Sequence, residues 1–193
     1  MTFNDLTKYH LILASKSPRR QYLLKELGLN FEVRTKEVDE SFSSDLKAQE
    51  IPLYLCKKKA NAFDEELSDN TIVITADTIV WVDNQVLNKP ENFDDAVRML
   101  QLLSGKMHEV YTGVCLKSKF KTKSFYALTK VYFKTLTLEE IEFYIKNYEP
   151  YDKAGSYGAQ DWIGLVAVEK IEGTYFNVMG LPMKELYEEL LKF

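Results

Sequence analysis

Two cysteines in 193 residues, Cys56 and Cys115, are too few and too far apart for a disulfide framework or a zinc site. Both sit in apolar stretches and read as small core residues. Proline and glycine are sparse as well, at five and eight, while apolar residues reach 46%, which excludes collagen-like, low-complexity and natively disordered chains. No apolar run approaches the roughly 20 residues that cross a bilayer. The segment MTFNDLTKYHLILAS also lacks a cationic stretch leading into a long apolar one, so the chain is expected to be cytoplasmic, with no membrane partner. Excess positive charge is missing too. Lys+Arg number 25 against 29 Asp+Glu, and the net charge of −4 gives no long-range pull toward nucleic acid. Any anionic ligand must be held by cations gathered locally. Neither a GxSxG elbow nor a GxxxxGK[ST] loop occurs, and His10 and His108 lack triad partners, so serine-type hydrolysis and a Walker-type site are set aside.

What is present alternates strand-like and helix-like stretches, the pattern of a mixed α/β protein. Tyr9 to Ala14 predicts a buried strand running into a helix in which Ser17 can cap, Pro18 suits the first turn and Gly28 terminates. Phe31 to Val38 predicts a second strand, and a helix is expected over Pro52 to Glu66. The β-branched run Thr71 to Val82 predicts a buried strand turning through Asp83 and Asn84 into a hairpin. Asn92 should cap a helix over Phe93 to Leu103, followed by strands over His108 to Lys117 and Ser124 to Leu136. Thr137 and Glu140 make a capping box. Beyond a glycine-bearing loop from Glu149, GLVAVEKI reads as a strand, EGTYFN as a turn, and a last helix starts at Pro182. With no linker, repeat or low-complexity tract, residues 1–193 are expected to form a single domain whose lobes, if two, share the sheet.

Three places could carry chemistry. The turn SKSPRR puts Arg19 and Arg20 in a first helical turn, where the helix dipole disfavours cations, so either an anion such as phosphate offsets them or acids like Glu26 do. Lys59 falls inside the apolar arc of Leu55, Cys56, Ala60 and Phe63; it either snorkels to the rim or reaches a phosphate. Asp77, with Thr78, interrupts TIVITADTIVWV, and an ionised carboxylate in a buried strand must be paired, hydrogen-bonded or bound to a cation. It serves backbone amides at a kink, or it holds a divalent ion or a water. Asp39 and Glu40 are possible companions. Lys89, Lys153, Tyr157 and Gln160 lie in polar loops, and a glutamine amide can read a base edge.

Taken in order, LILASKSPRRQYLLKELG, KEVDES, KKKANAF, TADTIV, VLNKP, LSGKMHEVYTGV, DKAGSYGAQ and NVMGLP give a chain that resembles the Maf family of nucleoside triphosphate pyrophosphatases over essentially its whole length. That resemblance implies an elongated mixed sheet with flanking helices and two lobes around a cleft, similar to inosine triphosphate pyrophosphatases. It implies that Asp77 activates water, that Ser15, Arg19, Arg20, Lys59 and Lys89 bind the phosphates, and that Arg19, Thr78 and Gln160 place the chain with the dTTP/UTP branch; Lys153 of the glycine-bearing loop is expected to bind substrate as well. A divalent cation, Mg²⁺ or Mn²⁺, on Asp77 and Glu40, a nucleoside triphosphate substrate and a homodimer are further expectations. The run DWIG after Gln160 is bulkier than the small, glycine-containing run of many members. The rival from another class is a non-catalytic protein acting in cell division or septum formation, which would show an exposed apolar patch instead of a buried carboxylate.

Overall fold

The computed structural model describes residues 2–193. Its strands are β1 (His10–Leu13), β2 (Phe31–Val33), β3 (Thr71–Val82), β4 (Gln85–Leu87), β5 (Met107–Lys117), β6 (Thr122–Phe133) and β7 (Val168–Glu172). Its helices are α1 (Phe3–Leu6), α2 (Pro18–Glu26), α3 (Glu50–Asn61), α4 (Phe93–Leu103), α5 (Leu138–Tyr148), α6 (Trp162–Ala167), α7 (Tyr175–Val178) and α8 (Met183–Lys192). The strands form a mixed sheet in the order β2-β1-β3-β5-β6-β7, with β4 on β3. β1 runs parallel to β2 and β3, while β3–β4 and β6–β7 are antiparallel. The protein is thus the mixed α/β type that the alternating pattern predicts. None of its helices is long and apolar enough to cross a membrane among the described residues.

The chain divides into two compact units. One contains the chain up to Asp77 with Thr112–Ala127 and Gly180–Phe193; the other contains Thr78–Tyr111 and Leu128–Met179. In the first, Leu11, Ile12 and Leu13 of β1 and Ile72, Val73 and Ile74 of β3 are buried, as a central parallel strand pair requires. Cys56 and Ala60 of α3 pack with Cys115 of β5, so both cysteines are the small core residues expected. Burial pushes the Cys115 thiol up to about 11 and that of Cys56 higher still, which keeps both unreactive. In the second unit, Ala96, Met99, Leu100 and Leu103 of α4 meet Ile141, Tyr144 and Ile145 of α5 in one apolar core.

Local signals work where side chain and backbone are neighbours. Asn92 Oδ1 accepts from Asp95 N–H at 2.9 Å, and the Thr137–Glu140 capping box is formed in both directions. Asp83 and Asn84 take the left-handed φ of 48° and 60° that a two-residue hairpin turn needs. Other expectations are corrected. β2 stops at Val33 instead of Val38, because its partner β1 ends opposite it at Leu13. α3 starts at Glu50 and ends at Asn61, with 64–66 a separate 3-10 turn. The β6 stretch spans Thr122–Phe133 rather than Ser124 to Leu136. GLVAVEKI is not one strand: Trp162–Ala167 is helical and only Val168–Glu172 is extended. Ile163 and Ala167, four apart, are both fully buried while Leu165 is exposed, which is helical rather than alternating burial. EGTYFN likewise holds a Thr174-capped helical turn.

His108 is buried in the second unit, edge-on to Phe133 and Tyr157 with centroids 4.9 and 5.3 Å away, and its Nε2 lies 2.7 Å from the Tyr157 hydroxyl. Burial pushes its pKa down to about 3, so it is neutral when folded and takes up a proton near pH 6.5 only when unfolded. Unfolded chains therefore bind more protons between these values, and this contribution to stability is full above pH 6.5 and is lost as pH falls. Urea titrations should show His108 weakening the fold by up to about 1.4 kcal/mol per pH unit below 6.5. The double variant His108→Phe/Tyr157→Phe should lose that component between pH 7 and 5; an unchanged slope would contradict it.

Candidate active site

Within the first unit, β1 delivers the chain to a turn at the start of α2. Ser17 holds the N-cap position, but its side chain makes no capping bond; its N–H instead donates to Ser15 Oγ at 3.3 Å. The Arg20 guanidinium turns inward. Its Nε donates to the Gly180 carbonyl at 2.8 Å, and one terminal nitrogen donates to the Ala76 carbonyl at 2.9 Å and reaches Ser15 Oγ at 3.5 Å. Gln21 Nε2 adds a bond to the Ser15 carbonyl at 3.2 Å. The Gly180 and Ala76 carbonyls thus hold Arg20 from positions far along the chain. Burial pulls its pKa below the ordinary arginine value, the negative charges of Asp77 and Glu40 oppose that, and the neighbouring Arg19 charge adds to it. Both cations stand in a helical first turn that carries no acid of its own, where the helix dipole disfavours them.

Lys59 and Asp77 come together in the same unit from positions 18 residues apart. The Lys59 ammonium lies 2.6 Å from Asp77 Oδ1 and 2.8 Å from Glu40 Oε1. The Lys59 and Asp77 side chains are 15% and 13% exposed, so this pair is largely shielded and its Coulomb term is not screened away. Asp77 is therefore a paired carboxylate, and Lys59 does not snorkel into solvent. Glu40 joins from an irregular segment, more than half exposed. Asp39 does not join. It accepts from Ser41 N–H at 2.9 Å and Ser41 Oγ at 2.5 Å and pairs with Lys58 at 3.1 Å, which together hold its carboxyl down to about 2.

In the second unit, the loop after α5 carries two 3-10 turns, Pro150–Asp152 and Ala154–Ser156. Gly155 takes a φ of 68°, and a Cβ there would stand 2.8 Å from Val80 Cγ2, so the loop lies directly on β3. Its N–H donates to the Asn88 carbonyl at 3.1 Å, next to the exposed Lys89. Lys153 pairs with Asp152 at 2.8 Å and approaches Asp161 at 3.6 Å; the Gln160 amide donates to Asp161 Oδ1 at 3.0 Å. Thr78 follows Asp77 in β3 and is half-buried. Tyr157 is in the core, bonded to His108. Sequence reasoning missed Asp161 and Tyr144, whose hydroxyl donates to Asp161 Oδ2 at 2.8 Å. The signal was faint: a tyrosine on the apolar face of α5 beside Ile141 and Ile145, and an acid directly after the glutamine.

Among the described residues no three His, Cys, Asp or Glu side chains form a metal cage. Asp77 and Glu40 nevertheless direct carboxylate oxygens at one cationic centre, now the Lys59 ammonium. Two carboxylates suit Mg²⁺ or Mn²⁺, which complete their shells with water and phosphate oxygens.

A family model described as Maf-like protein matches residues 10–193. The chain is 53% identical over 189 residues to the dTTP/UTP pyrophosphatase of Phocaeicola vulgatus, covering 97% of this chain and 98% of that protein. It is 52% identical over 190 residues to the dTTP/UTP pyrophosphatase of Flavobacterium johnsoniae, covering 98% of each. Among solved structures, the Staphylococcus aureus Ham1 protein shares the fold with a TM-score of 0.54 at 14% identity, over 93% of this chain and 99% of that one.

Proposed function

The chain belongs to the Maf-like protein family, and from that premise we propose that it is a nucleoside triphosphate pyrophosphatase acting on dTTP and UTP. The observation that carries the reading is the Lys59 ammonium held between Asp77 and Glu40, in the same unit as the inward-turned Arg20. Asp77 has one oxygen on Lys59 and a second with which to take a proton from water. Water oxygen then bonds to the α-phosphorus, the bond from that phosphorus to the α–β bridging oxygen breaks, and pyrophosphate leaves with the electron pair. A nucleoside monophosphate remains.

Ser15, Arg19, Arg20 and Lys59 are assigned to phosphate oxygens, with Lys89 and Lys153 in the same task. Their charges oppose what develops on the departing pyrophosphate, the electrostatic contribution that dominates such displacements. Arg19, Thr78 and Gln160 are assigned to base selection. A divalent cation would be held by Asp77 and Glu40, and when bound it would neutralise phosphate oxygens and favour attack at phosphorus.

The test is pyrophosphate release from purified protein across dTTP, UTP, CTP, ATP and GTP, with Mg²⁺, with Mn²⁺ and with chelator. Expected are turnover of dTTP and UTP at least tenfold above the other nucleotides and loss of activity in chelator. Absence of pyrophosphate from every nucleotide under all metal conditions would overturn the reading.

A further inference from the structure

The loop bearing Gln160 also bears Asp161, directly before α6. Asp161 occupies the N-cap position of α6, where an aspartate ordinarily accepts from first-turn N–H groups, yet its side chain makes no capping bond. Both oxygens serve the loop instead. Oδ1 accepts from Gln160 Nε2 at 3.0 Å, Oδ2 accepts from the Tyr144 hydroxyl at 2.8 Å, and Lys153 Nζ stands 3.6 Å from Oδ2. Tyr144 is fully buried on α5 and accepts in turn from Gly158 N–H at 3.0 Å, so the carboxylate is tied to the core. Burial and the Asp161 carboxylate both raise the Tyr144 pKa, which keeps its hydroxyl a donor. Gly158 makes the room: a Cβ there would lie 2.5 Å from Asp161 Oδ2 and 2.6 Å from Gln160 Nε2.

A carboxylate that already accepts from the Tyr144 hydroxyl and faces the Lys153 ammonium acts as an acceptor, so the Gln160 amide turns its NH₂ toward it; the reverse orientation would set two acceptors against each other. That leaves Gln160 Oε1 and the second Nε2–H as an ordered acceptor–donor pair. We infer that Asp161 is a specificity-positioning residue, holding the Gln160 amide in the one orientation that meets an imide N–H and its adjacent carbonyl, the edge of uracil and thymine. Cytosine presents a bare ring nitrogen and an amino group at the same edge. Acceptor then meets acceptor and donor meets donor, and groups left unpaired on binding are rejected far more strongly than a missing contact alone would be. The inference rests on the pyrophosphatase reading above.

The experiment compares kcat/KM for UTP and CTP, by pyrophosphate release, in the wild type, Asp161→Asn and Asp161→Glu. An asparagine offers both donor and acceptor and lets the Gln160 amide rotate. The UTP-over-CTP preference should fall at least tenfold in Asp161→Asn, by loss on UTP and gain on CTP, and Asp161→Glu should restore most of it. If Asp161→Asn does not fold, Tyr144→Phe removes the hydroxyl that holds Oδ2, and the preference should fall at least threefold. A merely structural role lowers both substrates together and leaves the ratio unchanged, which overturns the inference while UTP turnover by the wild type upholds the reading beneath it. Wild-type protein that hydrolyses neither nucleotide overturns both.

Discussion

Asp77→Asn should lower turnover of UTP by roughly a thousandfold, the scale on which a positioned general base contributes. Asparagine keeps the shape of the side chain and can still face the Lys59 ammonium through its carbonyl, but it cannot take a proton from water. Because Lys59 retains Glu40 and Arg20 retains its bonds to the Ala76 and Gly180 carbonyls, substrate binding should survive. Calorimetry with a non-hydrolysable α,β-imido analogue of UTP should give a Kd within a few-fold of the wild type. The loss then lies in kcat, the pattern of an interaction made in the transition state. A purified variant that turns over UTP like the wild type would remove Asp77 from the role of base.

Gly113→Ala carries the second large effect, on stability. A Cβ at this position in β5 would lie 2.5 Å from the Pro52 carbonyl carbon, 2.6 Å from its oxygen and 2.7 Å from Leu53 nitrogen. All three are backbone atoms of α3, so no side-chain rotation relieves the clash. The same close approach explains why Cys56, Ala60 and Cys115 are small. One added methyl must push α3 off the sheet, and the expected cost is about 3 kcal/mol, the upper end of overpacking. It would be read as a lower urea midpoint at unchanged m. Since α3 also carries Lys59, kcat/KM should fall with stability. A midpoint equal to the wild type's would show that α3 can yield without penalty.

Much of the site was legible as anomaly. A carboxylate in a β-branched run and a lysine within an apolar helical arc are each expensive alone, and the fold resolves both by joining them, Lys59 to Asp77 at 2.6 Å. Local residue chemistry did not separate the two candidate acids, although Glu40 was the one expected beside Asp77. Asp39 and Glu40 are adjacent and chemically alike, and only the path of the irregular segment sends Glu40 to Lys59 and Asp39 to Ser41 and Lys58. The inward Arg20 was equally hidden, because its acceptors are carbonyls of Ala76 and Gly180, far along the chain.

The sequence by itself determined what depends on neighbours a few residues apart: the Asn92 cap, the Thr137–Glu140 capping box, the Asp83–Asn84 turn and the buried β3 run. It also settled the need for a partner at Asp77, since the desolvation cost of a carboxylate in a buried strand follows from residue type and burial pattern. Tertiary structure alone decided which partner that is, that Trp162–Ala167 coils instead of extending, and that Asp161 leaves its own helix to serve Gln160 and Tyr144. The physical reason is that these contacts compete on nearly equal local terms, and the choice falls to groups brought close only after the chain has closed over many residues.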